Sequence, residues 1–281
     1  MPELRVMQIG GSVVLVTGAS EGIGAACARE FRRRGAKLAL VARSEEKLRQ
    51  VAAADDLVIV GDLTDEAVRR RAVAETEARF GRIDVLVNNA GVGLYAPAWQ
   101  APMDQVRRMY ELNVFALLEM TQRVVPGMKA RGTGTVVNVS SIGGKVPLAW
   151  FTAYSGTKFA VSAMTAGLRM ELKQYGVHVM DVCPGYVKTG FQQNTLAGEA
   201  PAQLWRARRF SITAEECARA LADGVERSKR TVVTPALGRL LMASLAVAPG
   251  MVEHFMERMY RGLGMDKMPV QKTAKEQPDA R

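Results

Sequence analysis

Seven short apolar runs, set apart by longer amphipathic stretches, constrain this 281-residue chain more than any other feature. The runs lie at residues 13–17, 37–42, 57–60, 84–88, 135–140, 177–183 and 231–234, and they are rich in Val, Leu and Ile. With so little polar alternation, each strand has to be covered on both faces, as in a parallel sheet. Between them, residues 23–34, 45–54, 65–80, 103–129, 153–175 and 214–227 space their apolar positions as helices do. That order predicts right-handed crossovers and an α/β, doubly wound parallel seven-stranded sheet with helices on both faces. No linker, repeat or low-complexity stretch divides it, so residues 1–265 read as one domain. Residues 185–213 form a connection long enough to be a lid. Residues 236–263 read as a C-terminal helical extension, with helices at 237–245 and 251–263 separated by Pro249 and Gly250. The polar stretch 266–281 reads as a flexible tail.

Composition narrows the function classes. Cys27, Cys183 and Cys217 lie far apart without a CxxC pair, which argues against a disulfide framework or zinc site. His178 and His254 are the only histidines, so no metal site is expected and neither has a partner recognisable in sequence. The net charge of +10 is scattered over Arg32–Arg34, Arg69–Arg71, Arg206 with Arg208 and Arg209, and Lys229 with Arg230. Scattered charge reads as solvated faces, with attraction of an anionic cofactor or substrate as a second use. Without a basic tail or an RNA-binding aromatic motif, no nucleic-acid partner is expected. No leader pattern is present, and the longest apolar run, 240–248, is about half of the roughly 18 residues a membrane crossing needs. A cytoplasmic location is the default expectation. Peripheral membrane contact through the Leu- and Met-rich extension is a less favoured use of it than core packing or a subunit contact.

The first strand runs into Thr17-Gly18-Ala19-Ser20-Glu21-Gly22-Ile23-Gly24 and then a helix. Glycines there permit a tight turn and close approach to a pyrophosphate, and the helix N-terminus favours its charge. A purely structural turn has the same appearance. At the end of the second strand Ala42 removes the acid that would repel a 2′-phosphate, and Arg43 can pair with one. A solvent-facing Arg43 is the plainer alternative. The pattern favours NADP(H), with NAD(H) as the alternative, while Glu21 pulls against NADP(H).

Tyr154 and Lys158 stand four apart at the start of a helical stretch, on one face of it. A nearby ammonium would lower the phenol's pKa from about 10 and suit it to general acid–base work. Ser141, thirteen residues earlier, follows the fifth strand and can hold a substrate oxygen; Ser140 is its structural neighbour. Tyr95, Trp150, Phe151, Phe191, Trp205 and Phe210 read as an apolar pocket for a bulky substrate, or as ordinary loop packing. The basic and aromatic run 204–210 would receive an anionic handle, or form a solvated lid surface. Cys183 reads as a small core residue.

These motifs together resemble the short-chain dehydrogenase/reductase family in its single-domain Rossmann-type form. The likeness covers 13–234: TGASEGIG at 17–24, GDLTD at 61–65, NNAG at 88–91, LN at 112–113, VSS at 139–141, YSGTK at 154–158 and PGYVKT at 184–189. It implies that Gly18, Ser20, Gly22, Ile23 and Gly24 wrap the pyrophosphate and adenosine side, and that Asp62 and Leu63 meet adenine. It implies that Asn89 and Gly91 support the cofactor, and that Pro184, Gly185, Val187 and Thr189 meet the nicotinamide end. Asn113 would hold a water relaying protons to Lys158, Ser141 would orient the carbonyl, Tyr154 would exchange the proton, and Lys158 would also bind the nicotinamide ribose. Glu21 occupies a position often basic in NADP-preferring members. The resemblance further implies a homodimer or homotetramer joined through helices 103–129 and 153–175. The leading expectation is a carbonyl reductase or alcohol dehydrogenase acting on a small-molecule carbonyl/alcohol substrate of hydrophobic character. The alternatives are a 3-oxoacyl-thioester reductase and a non-catalytic NADP-sensing regulatory protein.

Overall fold

A computed structural model describes residues 7–196 and 211–261. The chain alternates β1 (Val13–Thr17), α1 (Gly22–Arg33), β2 (Lys37–Ala42), α2 (Glu45–Val51), β3 (Leu57–Val60), α3 (Glu66–Phe80) and β4 (Val85–Asn88). It continues through α4 (Met103–Tyr110), a π-helical turn (Glu111–Ala116), α5 (Leu117–Arg131), β5 (Gly134–Val139), α6 (Thr152–Leu172) and β6 (Val177–Pro184). After β7 (Val187–Lys188) and β8 (Ile212–Thr213) come α7 (Ala214–Glu226), β9 (Thr231–Thr234), α8 (Gly238–Val247) and α9 (Pro249–Arg261). The seven long strands form one parallel sheet in the order β3-β2-β1-β4-β5-β6-β9.

Both faces of the sheet are covered, for the reason its strands predicted. Along β1, Val14 and Val16 pack into the layer under α1 and α7, while Leu15 packs into the layer under α3, α5 and α6. Every residue of β1, β4, β5 and β6 is buried. Helix ends follow local chemistry: Asp65 accepts from Ala67 N at 2.8 Å to cap α3, and Thr213 and Glu216 cap α7 reciprocally.

The structure corrects several expectations. The helix expected over 103–129 is interrupted by the π-helical turn at residues 111–116, which brings the Asn113 side chain against Val92. The helix expected over 153–175 leaves α geometry after Leu172 and closes with a tighter turn at Lys173–Tyr175. Pro249 does not separate the last two helices; it opens α9, where the fixed proline φ suits a first helical residue. Within the expected lid, β7 and β8 pair as a small parallel sheet, and residues 197–210, with Trp205, Phe210, Arg206, Arg208 and Arg209, lie outside the described residues. So do the tail 266–281 and the last residues of the extension.

Arg69 corrects the solvated-face reading of the charge runs, being only 6% exposed. Its guanidinium joins α3 to the π-helical turn and α5, lying 3.4 Å from Glu111 and 2.6 Å from Glu119. Arg34 is likewise half-buried, against Glu30, Asp223 and Glu226, which ties α1 to α7. Replacing Arg69 with Ala should destabilise the fold by about 2–3 kcal/mol, less than a fully buried pair because both glutamates keep some solvent. Urea denaturation checks this by a lowered midpoint at unchanged slope.

Candidate active site

All the parallel strands end their carboxyl termini on one edge, and the predicted site residues collect there. At its centre the ends of β1 and β4 are tied together. Thr17 Oγ1 accepts from Asn89 N at 2.9 Å and Ala90 N at 3.1 Å, and donates to Val87 O. The Asn89 side chain returns the contact, donating to Thr17 O at 2.9 Å and Gly18 O at 3.2 Å.

That tie shapes the glycine turn. Gly18 has φ +64°, and a Cβ on it would stand 2.9 Å from Ala90 Cα. On Gly24 a Cβ would fall 2.1 Å from Gly18 O, inside any tolerable contact. Glu21 opens α1 without a side-chain cap, and its first turn holds no acid, so the leading N–H groups stay available to an anion. Ser20 is half-buried within the turn, and Ile23 packs back on the core. Thr189 lies against Gly22, where an added Cβ would meet its Cβ at 3.3 Å, so the segment after β6 approaches the turn from across the cleft.

At one end of the cleft sits a charged cluster. Arg43 and Arg108 approach the same carboxylate, Asp62 Oδ2, at 3.8 and 3.9 Å, and Arg43 is largely exposed. Asp62 also accepts from Thr64 N and Oγ1, both at 2.9 Å, while Leu63 turns into the core. Glu21 is held by Lys47 at 3.1 Å and by the Asn194 amide. At the other end Gly185 N donates to Thr234 O at 2.8 Å, Pro184 ends β6 beside Thr234, and Val187 belongs to β7.

The proposed catalytic side chains meet between β4, β5 and α6. Asn113, within the π-helical turn, is fully buried. Its Oδ1 accepts from Val92 N at 2.9 Å and its Nδ2 donates to Val92 O and Thr157 Oγ1. Behind Gly91, an added Cβ would stand 3.1 Å from Asn113 Oδ1 and 3.4 Å from Lys158 Nζ, so those two groups share one wall. Ser141 accepts from Gly143 N at 3.0 Å and stands close enough to the Tyr154 hydroxyl to influence its protonation. Ser140 instead turns under α6, toward Lys158 O and Ser162. Tyr154 continues an aromatic column: Tyr95 stacks on Phe151 at 4.2 Å, Phe151 on Tyr154 at 4.1 Å, and Phe191 tilts against Tyr154 at 5.7 Å. Trp150 is half-buried and takes no place in the column.

Electrostatics here differ from the helix-spacing expectation. Burial pushes the Tyr154 phenol well above its usual range, and the Ser141 hydrogen bond pulls the other way. Lys158 Nζ lies 5.7 Å from the ring centroid and donates to Val139 O at 2.9 Å. Burial lowers Lys158 to about 8, with Asp181 opposing. Thr17, Thr157 and Val139 stand inside the sequence motifs, but their contacts cannot be read there because they join distant strands and helices. His178, without a partner in sequence, meets Lys229 O at 2.9 Å. The three cysteines are buried free thiols.

The short chain dehydrogenase family model matches residues 12–200. Dehydrogenase/reductase SDR family member 7B of Danio rerio is 32% identical over 250 residues, covering 83% of this chain and 80% of that protein. Ketoacyl reductase HetN of Nostoc sp. is 30% identical over 268 residues, 91% of this chain and 90% of that one. A solved short chain dehydrogenase from Burkholderia cenocepacia in complex with NADP superimposes with TM-score 0.76 at 29% identity, covering 89% of this chain and 99% of that one. Gly24→Ala should lower stability by roughly 1–3 kcal/mol, the cost of overpacking a tight site, and thermal melting should show it as a reduced Tm.

Proposed function

The chain belongs to the short-chain dehydrogenase/reductase family and is an NAD(P)-dependent oxidoreductase; from that premise we propose that it interconverts a hydrophobic carbonyl compound and its alcohol with NADP(H). The observation that carries the reading is the buried Tyr154 phenol in the cleft, close enough to Ser141 to feel its hydroxyl, with Lys158 one helical turn further along α6 and sharing a wall with Asn113 behind Gly91. The glycine turn leaves no room for side chains and offers open N–H groups, which fits a pyrophosphate. When bound, the nicotinamide ring supplies or accepts the hydride.

The chain's own residues do the rest. Ser141 Oγ holds the substrate oxygen beside the Tyr154 hydroxyl. Tyr154, kept protonated by burial, gives its proton to that oxygen as it gains negative charge in reduction, and takes it back in oxidation. Lys158, charged below about pH 8, places positive charge under the site and reaches for the ribose. Asn113 braces Val92 and Thr157, and so holds the wall that a relaying water would use. Tyr95, Phe151 and Phe191 give the cleft an apolar lining, which supports a hydrophobic substrate.

Arg43 supports NADP(H): at 3.8 Å from Asp62 its guanidinium is not committed to a close ion pair, and Lys47 offsets Glu21. A 3-oxoacyl thioester is the second reading. It draws support from similarity to ketoacyl reductase HetN and to the very-long-chain 3-oxoacyl-CoA reductase of Anas platyrhynchos, 37% identical over 191 residues. Self-association through α5 and α6 is supported by the exposed Phe115, Phe159 and Met170 on that side. Among the described residues no helix is long and apolar enough to cross a membrane.

Tyr154→Phe should cut kcat roughly 10²–10⁴-fold with cofactor affinity retained, and ordinary turnover in that variant would refute the mechanism. The wild-type rate of reduction should fall as pH rises through about 8, because Lys158 then loses the charge it contributes. Arg43→Ala should raise KM for NADPH about 10–100-fold and leave KM for NADH nearly unchanged, as steady-state kinetics with both cofactors would show.

A further inference from the structure

The strand beneath the site carries an acid that neither the fold nor the reaction as described uses. Asp181 lies within the run VHVMDVCP of β6 and is 2% exposed. In register it stands opposite Asn138 of β5, whose amide donates to Thr165 on α6. Paired residues share a sheet face, so Asp181 also lies under α6. One residue further along β5 is Val139, whose carbonyl takes Lys158 Nζ.

Lys145, just after the turn that follows Ser141, brings Nζ to 2.8 Å from Asp181 Oδ2. Even so, among the described residues neither carboxylate oxygen receives a well-aligned hydrogen bond. A buried ion pair with unsatisfied oxygens is a poor source of stability, and an aliphatic pair of similar volume would serve the sheet at least as well. The charge is felt by its neighbours. Asp181 is the largest influence opposing the burial that lowers Lys158, and after burial it is the next to raise the Cys183 thiol.

We propose that Asp181, held by Lys145, is a positioning residue whose buried carboxylate keeps the Lys158 ammonium charged and seated on the Val139 carbonyl. This rests on the reading that Lys158 works in its protonated form. The other titratable or charged groups around Asp181 and Lys158 are Tyr154 and Arg169 on α6, Cys183 on β6, and Arg230 before β9. The π-helical turn contributes only the neutral Asn113 amide. Asp181 is the one carboxylate in this group, so its removal takes away the largest influence that opposes the burial of Lys158. Lys158 then loses its proton at lower pH, and the descending alkaline limb of activity moves down with it.

The test is the pH profile of kcat/KM for the full chain with NADPH and an accepted carbonyl substrate, for wild type and Asp181→Asn. The Asp181→Asn limb should lie lower by half a pH unit or more, a loss of about three-fold on the alkaline side that shrinks toward acid pH. The Lys158 resonance of protein labelled with ¹³C-lysine should titrate lower by the same shift, without cofactor. A limb and a resonance that stay in place, or a loss uniform across pH, would overturn the proposal. Should Asp181→Asn not fold, Asp181→Ser removes the same charge in a smaller side chain and leaves Lys145 in place, with the same lowered limb expected; an unmoved limb there overturns it equally. If instead Lys158→Ala keeps full turnover, the reading of Lys158 itself fails, which is a separate outcome.

Discussion

A parallel sheet whose strands are apolar on both sides is the constraint from which the rest of this molecule follows. Each strand must re-enter beside its neighbour in the same direction, so each return passes through a helix that covers a face. All carboxyl ends therefore open on one edge. The glycine turn after β1, Arg43 after β2, Asp62 after β3, Asn89 after β4, Ser141 after β5 and Thr189 after β6 come together there, though they are spread over 172 positions of sequence. Burial of β1 on both faces also leaves no slack in its end, which is why Gly18 and Gly24 have backbone where a side chain would be.

Local deviations from regular structure then aim the site. The π-helical turn bulges Asn113 out of the long helix toward Val92, where its amide satisfies both backbone groups of that residue. Arg69 anchors the turn from behind through Glu111 and Glu119, a buried charge whose partners stay partly wet. The column Tyr95–Phe151–Tyr154 fixes the phenol by stacking, so the hydroxyl is free to face Ser141. Burial, which holds Tyr154 protonated, also weakens the charge on Lys158, and the two groups are tuned by the same dry environment in opposite directions.

What could be read from residues alone was whatever depends on short-range spacing. The strands were legible because they lack polar alternation, and the proximity of Tyr154 to Lys158 because a helix repeats nearly every four residues. The glycine turn was legible as glycines between a strand and a helix. Helix 103–129 was read as continuous because a bulge of one residue leaves the hydrophobic pattern almost intact. A run of three arginines has no internal sign of which one faces inward, so the burial of Arg69 is not legible in it.

The sequence by itself determined the doubly wound fold, the edge at which the site forms and, through its motifs, the family to which the chain belongs. Only the tertiary structure decided which groups touch. Ser141 stands near Tyr154 while Ser140 turns under α6, Lys158 seats on Val139 O, Glu21 is offset by Lys47, and Asp181 lies beneath α6. The physical reason is range. Periodicity reports the conformation of a few neighbouring residues, whereas burial, register and partner identity are set by elements far apart in the chain, and those are what fix protonation at the site.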